Sequence, residues 1–140
     1  MGPSIMIVED NDNVRKSLRD WLSTSILDCN IIEAPSAEEG LAAVRRWSPD
    51  VVLMDISLPR MDGIEATRLI KAALPGTKVI VVSIHEDDEH RSSAIAAGAF
   101  AYVPKRTMNT NLIAVIVQSL KEESGLVKDE DMIIAVLRNS

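Results

Sequence analysis

Five short aliphatic runs recur along the chain, and each has the length and residue types of a buried strand. They are Ile5–Val8, Asn30–Ala34, Val51–Met54, Val79–Val82 and Phe100–Val103. A run that is apolar at nearly every position is buried on both faces, which is typical of a parallel sheet covered by helices. This hydrophobic pattern therefore favours an α/β protein.

The segments that follow these runs carry apolar residues at helical spacing. Val14, Leu18, Trp21 and Leu22 fall on one face of a first helix, and Ser36–Glu39 fits a capping box that begins a second. Three more helical patterns follow, at Ile64–Ala73, Glu86–Ala97 and Leu112–Leu120. Strand and helix thus alternate five times, which with right-handed crossovers predicts an open, doubly wound sheet.

Length, composition and charge limit the classes of protein that this chain can represent. Its 140 residues predict one domain, and 46% apolar with 26% charged residues is typical of a globular protein. Fifteen basic and twenty-one acidic side chains give a net charge of -6, which argues against nucleic-acid binding by this chain itself. The single cysteine, Cys29, can form no intrachain disulfide. No apolar run approaches the roughly 20 residues of a membrane span, so we expect a cytoplasmic protein without a membrane partner.

The C-terminal segment differs from the rest of the chain. Residues 1–122 hold the five strand–helix repeats, and residues 123–140 are too few for a second domain. A charged stretch, Lys128–Asp131, precedes an apolar stripe formed by Ile133, Ile134, Val136 and Leu137. We expect this segment to be a linker or an additional C-terminal helix, and a partner-binding role stays open.

Polar side chains stand where four of the predicted strands end. Glu9 and Asp10 follow the first strand, and Asp55 follows the third. Ser83 follows the fourth strand and Lys105 the fifth. Each residue alone could be a helix cap, a turn residue or a surface residue. Ligands bind beyond the carboxyl ends of the strands in such sheets, and it is the joint occurrence at four strand ends that favours a functional site.

The residue types at these strand ends indicate a hard cation and a phosphoryl group. Three carboxylates repel one another unless a cation joins them, and an all-oxygen ligand set favours Mg²⁺. A lysine opposite is suited to a phosphoryl oxygen. His85 and His90 lie five positions apart, which is poor spacing for a shared helical metal site, and we expect them to be exposed. Dinucleotide, P-loop and nucleophile-elbow motifs are absent from the sequence.

Four segments together resemble the receiver domain of bacterial two-component response regulators. They are Ile5–Asp10, Asp50–Gly63 with its D-x-x-L-P-x-x-D-G pattern, Val79–Ser83 and Gly98–Lys105. The match runs from Ile5 to about Lys121, and the spacing after Lys105 resembles the NarL/FixJ-type subgroup with LuxR-type output. The resemblance implies a flavodoxin-like fold with five parallel strands in the order 2-1-3-4-5, flanked by five helices.

The resemblance also implies how the acidic residues act. Asp55 would accept a phosphoryl group from a phosphohistidine on a sensor histidine kinase. Asp10, Asp55 and the backbone carbonyl of Ser57 would hold Mg²⁺, and Glu9 would act through water. The chain would catalyse its own phosphorylation and dephosphorylation without acting on a metabolite.

Three further residues would bind the phosphoryl group or respond to it. Lys105 would bind a phosphoryl oxygen, Ser83 would move toward the group, and Tyr102 would be the aromatic switch. An added phosphoryl carries a charge of about -1.5 to -2, enough to bias a two-state loop. The output face would be the fourth helix, fifth strand and fifth helix, with homodimerisation on phosphorylation as one expected response. Output in the resembling subgroup is transcription regulation through a DNA-binding domain, which this chain does not contain.

The sequence departs from the family pattern at two positions. Ile84 stands where the family usually has a small residue, and we expect its bulk to narrow access to Asp55. Arg106 replaces the proline that commonly follows the lysine, which weakens the expectation of a cis peptide there.

Two alternative functions stay open. A stand-alone or degenerate receiver would act as a protein-interaction module, and failure to bind Mg²⁺ would favour the degenerate form. A Mg²⁺-dependent phosphohydrolase with Asp55 as nucleophile would commonly carry an acid two positions later, where this chain has Ser57.

Overall fold

Five parallel strands form one sheet in the computed structural model, which describes residues 2–124. The strand order is β2-β1-β3-β4-β5, with every neighbouring pair parallel. The strands are β1 (Ser4–Val8), β2 (Asn30–Ala34), β3 (Val51–Met54), β4 (Lys78–Ser83) and β5 (Ala101–Pro104). The helices are α1 (Asp12–Ser25), α2 (Ala37–Trp47), α3 (Gly63–Ala73), α4 (Asp88–Ala96) and α5 (Met108–Ser124), with a 3₁₀ turn at Lys105–Thr107. The predicted doubly wound fold and its strand order are confirmed.

The two faces of the sheet bury separate apolar layers, as the strand alternation requires. In β1, Ile5 and Ile7 face a layer that includes residues of α1 and α5. Met6 and Val8 face the opposite layer, which includes residues of α2 and α3. Because β1 and β3 have both faces covered, their ends are held in fixed positions, and the site described below is built on those ends.

Side-chain caps fix where the helices begin. Asn11 Oδ1 accepts a hydrogen bond from the Val14 N–H (3.0 Å), so the polar run after β1 caps α1 through Asn11. Ser36 and Glu39 form the predicted capping box, in which Ser36 Oγ accepts from the Glu39 N–H (3.1 Å). The fourth helix begins later than its sequence pattern indicated, because Asp87 serves as its N-cap.

Three further expectations from the sequence concern the C-terminal segment, membrane spans and the peptide bond after Lys105. Residues 125–140, which carry most of the predicted linker or extra helix, lie outside the described residues. Within residues 2–124, no helix is both long enough and apolar enough to cross a membrane. The peptide bond between Lys105 and Arg106 is trans, as expected without a proline.

Candidate functional site

Three carboxylates meet at the carboxyl ends of β1 and β3. The two strands pair directly, and the Asp55 N–H donates to the Val8 carbonyl (3.1 Å), which holds Asp55 beside the end of β1. Carboxylate oxygens of Glu9, Asp10 and Asp55 lie within 4.8 Å of one another. Glu9 is 3% exposed and Asp55 is 7% exposed, whereas Asp10 is an exposed residue. A buried, all-oxygen cluster with one open side suits a hard divalent cation that keeps some of its water.

Lys105 lies across this acidic cluster. Its Nζ is 3.0 Å from Glu9 Oε1 and 3.6 Å from Asp55 Oδ2. Partial burial acts to lower the pKa of Lys105, but the hydrogen bond to Glu9 and the two carboxylate charges outweigh it and raise its pKa above the ordinary value. The ammonium group is therefore charged at neutral pH and stands beside the carboxylate that would carry a phosphoryl group.

The loop after β3 is shaped around Asp55. The Ser57 N–H donates to Asp55 Oδ1 (3.1 Å), which orients the carboxylate. At the end of the same loop, the Gly63 N–H donates to the Ile56 carbonyl (3.0 Å). A Cβ at position 63 would lie 2.0 Å from the Asp55 carbonyl oxygen, closer than van der Waals contact allows. Glycine is therefore required there, because the backbone of α3 begins in contact with the backbone of Asp55.

Ser83 and Tyr102 both bind the backbone of His85. Ser83 is fully buried, and its Oγ accepts a hydrogen bond from the His85 N–H (3.0 Å). The Tyr102 hydroxyl donates to the His85 carbonyl (2.7 Å), and its ring lies under the Arg91 guanidinium at 4.9 Å. The two residues named as switches are thus joined through the backbone of one loop residue, His85. These two hydrogen bonds do not involve a carboxylate of the acidic cluster.

His85 follows Ile84 in the loop after β4 and contacts the loop after β3 through Ser57. Ile84, whose bulk the sequence suggested would narrow access to Asp55, is 66% exposed, and its effect on that access stays a prediction. His85 Nε2 lies 3.3 Å from Ser57 Oγ, and its ring stacks on His90 with centroids 4.1 Å apart. The expectation of exposed histidines was therefore wrong: both are half-buried. Ligand atoms of His85, His90 and the intervening Asp87 lie within 4.8 Å of one another, closer than the sequence spacing of the two histidines indicated.

Two arginines that the sequence analysis did not name as site residues form ion pairs or hydrogen bonds beside the site's strand ends. Arg106 forms a two-pronged ion pair with Glu86, at 2.8 and 3.0 Å, and so joins the loops that follow β4 and β5. Arg15 on α1 is buried and donates to the Glu9 carbonyl (2.8 Å). A polar residue within a helical pattern is ordinarily a solvent-facing one, so the pattern carried no signal for Arg15.

Comparison with known proteins places this geometry in a family. Residues 5–117 match the family model described as the response regulator receiver domain. The uncharacterized transcriptional regulatory protein YhcZ of Bacillus subtilis is 39% identical over 110 residues, which are 78% of this chain and 51% of that protein. The chain spans about half the length of the first curated relatives that it matches.

Solved structures show the same fold. The crystal structure of a CheY-like receiver domain protein from Methanospirillum hungatei matches with a TM-score of 0.83 and 29% identity, over 89% of this chain and 98% of that one. A two-component response regulator of the LuxR family from Aurantimonas matches with a TM-score of 0.81 and 28% identity, over 100% of both chains. The second of these two matches agrees with the subgroup that the spacing after Lys105 indicated.

Proposed function

This chain belongs to the response regulator receiver family, and from that premise we propose that it is a signalling switch phosphorylated on Asp55. The observation that carries the proposal is the position of Asp55: a buried carboxylate 3.6 Å from Lys105 and within 4.8 Å of Glu9 and Asp10. Phosphoryl transfer requires positioning and charge neutralisation more than covalent chemistry by the protein. The acidic cluster and the lysine offer both.

The proposed reaction is transfer of a phosphoryl group from a phosphohistidine on a sensor histidine kinase. An Asp55 carboxylate oxygen attacks phosphorus, the bond from phosphorus to the imidazole nitrogen breaks, and the imidazole leaves with the bonding pair. The product on Asp55 is an acyl phosphate, which water later hydrolyses to inorganic phosphate and the free carboxylate. Lys105 binds a phosphoryl oxygen during both steps, with its ammonium group held in place by Glu9.

The residues around Asp55 fit a bound Mg²⁺. Asp10, Asp55 and the Ser57 backbone carbonyl would hold the ion, with Glu9 acting through water. Bound there, Mg²⁺ would neutralise charge on the phosphoryl oxygens and help to align the donor. The separate task of orienting the Asp55 carboxylate falls to the Ser57 N–H, which donates to Oδ1.

The phosphoryl group would act on the output face through His85. Ser83 Oγ, which accepts from the His85 N–H, would turn to donate to a phosphoryl oxygen, and the loop between β4 and α4 would move with it. Tyr102 binds the same loop through the His85 carbonyl, so its ring would respond together with the loop. We propose that the resulting change spreads over α4, β5 and α5.

We propose that the full-length protein regulates transcription. The support is the names of relatives such as YhcZ and their greater length, which leaves room for a DNA-binding domain outside this chain. Phosphorylation would then control homodimerisation of the receiver. Because its donor is a kinase that draws on cellular ATP, we propose that the protein acts in the cytoplasm.

A phosphoryl mimic tests the switch directly. Beryllium fluoride with Mg²⁺ should shift the amide resonances of Ser83, His85 and Tyr102 in the wild type and leave the Asp55→Asn variant unchanged. Equal spectra with and without the mimic would favour the degenerate receiver. Steady turnover of p-nitrophenyl phosphate that depends on Asp55 would favour the phosphohydrolase. Ser57 does not support that alternative, because it carries a hydroxyl where such enzymes commonly carry a carboxylic acid.

A further inference from the structure

Arg15 connects α1 and β2 to the backbone that precedes Asp10. Its guanidinium makes three bonds: Nη1 donates to the Glu9 carbonyl (2.8 Å), Nη2 to Asp12 Oδ1 (2.6 Å) and Nε to Glu33 Oε1 (3.1 Å). The residue is only 8% exposed. An arginine fork can satisfy three separate acceptors with fixed angles between them, which an ammonium group cannot do with the same geometry.

The bond to the Glu9 carbonyl controls the residue that follows. A carbonyl oxygen and the next N–H belong to one planar peptide unit, so the Glu9 carbonyl and the Asp10 N–H turn together. Fixing the carbonyl therefore fixes the direction in which the chain leaves Glu9 and the place from which the Asp10 side chain extends. Asp10 is the exposed member of the acidic cluster, so it depends on its backbone for orientation.

Glu9 is held from a second side by other partners. Its Oε1 accepts from Lys105 (3.0 Å) and its Oε2 accepts from the Asn11 N–H (3.1 Å). These bonds fix the Glu9 side chain and the chain after Asp10. The carbonyl bond from Arg15 completes the set, because it fixes the peptide unit between Glu9 and Asp10.

We propose that Arg15 is a positioning residue for the cation site, which holds the Glu9–Asp10 peptide so that Asp10 faces Asp55. This inference rests on the proposed function, because it assumes that the acidic cluster binds Mg²⁺. Groups that orient metal ligands from outside the coordination sphere typically contribute about 10- to 100-fold to metal affinity. An effect at the lower end is expected here, because Arg15 acts on the backbone of Asp10.

Coulomb forces and positioning predict opposite effects of removing Arg15. Loss of a positive charge near an acidic cluster makes the cluster more attractive to a cation, so charge alone would tighten binding. Loss of the Glu9 carbonyl bond would weaken binding. The sign of the change in affinity therefore separates a positioning role from a merely electrostatic one.

Arg19 offers a matched control on the same helix. It binds the other oxygen of Glu33, with Nη1 3.1 Å from Oε2, and its remaining hydrogen bonds go to Asp20. Replacing Arg19 by methionine removes the same charge and one bond to the same glutamate. It leaves the Arg15 bond to the Glu9 carbonyl in place.

The experiment measures Mn²⁺ binding by electron paramagnetic resonance, since Mn²⁺ shares the oxygen ligands and octahedral geometry of Mg²⁺. We expect Arg15→Met to weaken binding about tenfold and Arg19→Met to leave it unchanged or slightly tighter. In an Asp10→Asn background, Arg15→Met should have little further effect, because the two residues act on the same ligand. Arg15→Lys keeps the positive charge and a single donor nitrogen, and it should restore part of the Mn²⁺ affinity that Arg15→Met loses.

Three results would overturn the inference. Binding by Arg15→Met that equals or exceeds the wild type would show that Arg15 does not position the site. Equal weakening by Arg15→Met and Arg19→Met would assign the effect to the Glu33 network. Wild-type protein that binds no Mn²⁺ would overturn the proposed function and this inference with it. If Arg15→Met does not fold, Arg15→Lys against Arg19→Lys makes the comparison at constant charge, with weaker binding expected only in the first.

Discussion

Lys105 and Glu9 stand 96 positions apart in the sequence and form an ion pair of 3.0 Å across the end of the sheet. β1 and β5 are not neighbours in this sheet, since β3 and β4 lie between them. The lysine side chain therefore extends across the strand ends. Its Nζ lies 3.6 Å from Asp55 Oδ2 as well as 3.0 Å from Glu9 Oε1. This pairing closes the acidic cluster on one side and leaves the Asp10 side open.

Lys105→Met should reduce both stability and phosphorylation. Glu9 is almost fully buried, so removing its partner leaves a carboxylate without its charged hydrogen bond. We expect a loss of about 1–3 kcal/mol in the free energy of unfolding, measured by urea denaturation without Mg²⁺. Lys16→Met, at an exposed position of α1, is the control and should change stability little. Equal stability of both variants would show that the ion pair contributes nothing.

Gly63→Ala should disrupt the loop that carries Asp55. Its Cβ would lie 2.0 Å from a backbone oxygen, which cannot be relieved by turning a side chain. We expect a loss of about 2 kcal/mol or more, because a backbone shift of this kind exceeds ordinary overpacking. Gly76→Ala is the matched control, since a Cβ there would meet open space. Thermal denaturation of both variants decides the point, and a Gly63→Ala protein as stable as Gly76→Ala would contradict the contact.

The Glu86–Arg106 pair should weaken in acid. The hydrogen bond from Arg106 lowers the pKa of Glu86 below its ordinary value. A carboxyl whose pKa is lower in the folded state stabilises the fold above its unfolded pKa, and this contribution is lost as the pH falls through the folded value. An NMR titration of the Glu86 carboxyl should show the lowered pKa in the wild type and a return toward the ordinary value in Arg106→Gln. A midpoint that does not move would show that the pair is absent in solution.

Phosphorylation by a small donor should respond to His85 and not to Ile84. The sequence alone favoured Ile84 as the obstacle, but its side chain points largely into solvent. His85 contacts Ser57, whose N–H binds the Asp55 carboxylate, so we expect His85→Ala to loosen this loop and raise the rate of phosphorylation by acetyl phosphate. Loss of the hydrogen bond between His85 and Ser57, at about 0.5–1 kcal/mol, corresponds to an increase of about two- to fivefold in the rate of phosphorylation. A faster Ile84→Ala with an unchanged His85→Ala would restore the original hypothesis.

Sequence reasoning reached the parts of the site that the sheet itself determines. The ends of parallel strands share one edge, so Glu9, Asp55 and Lys105 could be grouped before their distances were known. The contacts of His85 were not predictable in this way, because they depend on how one loop lies against another. Arg15 was missed for a related reason: its helical position looked polar and exposed, but Glu33 on β2 and the Glu9 carbonyl draw it inward.

Phosphoryl acceptance by Asp55 is the central claim, and intact mass spectrometry tests it most directly. Wild-type protein and Asp55→Asn would each be incubated with acetyl phosphate, with and without Mg²⁺. We predict a single phosphoryl adduct on the wild type with Mg²⁺, and none on the variant or without the metal. An adduct of equal yield on Asp55→Asn would contradict the assignment of Asp55. Absence of any adduct, from acetyl phosphate and from a phosphorylated histidine kinase alike, would contradict the proposal that this chain is a phosphorylation switch.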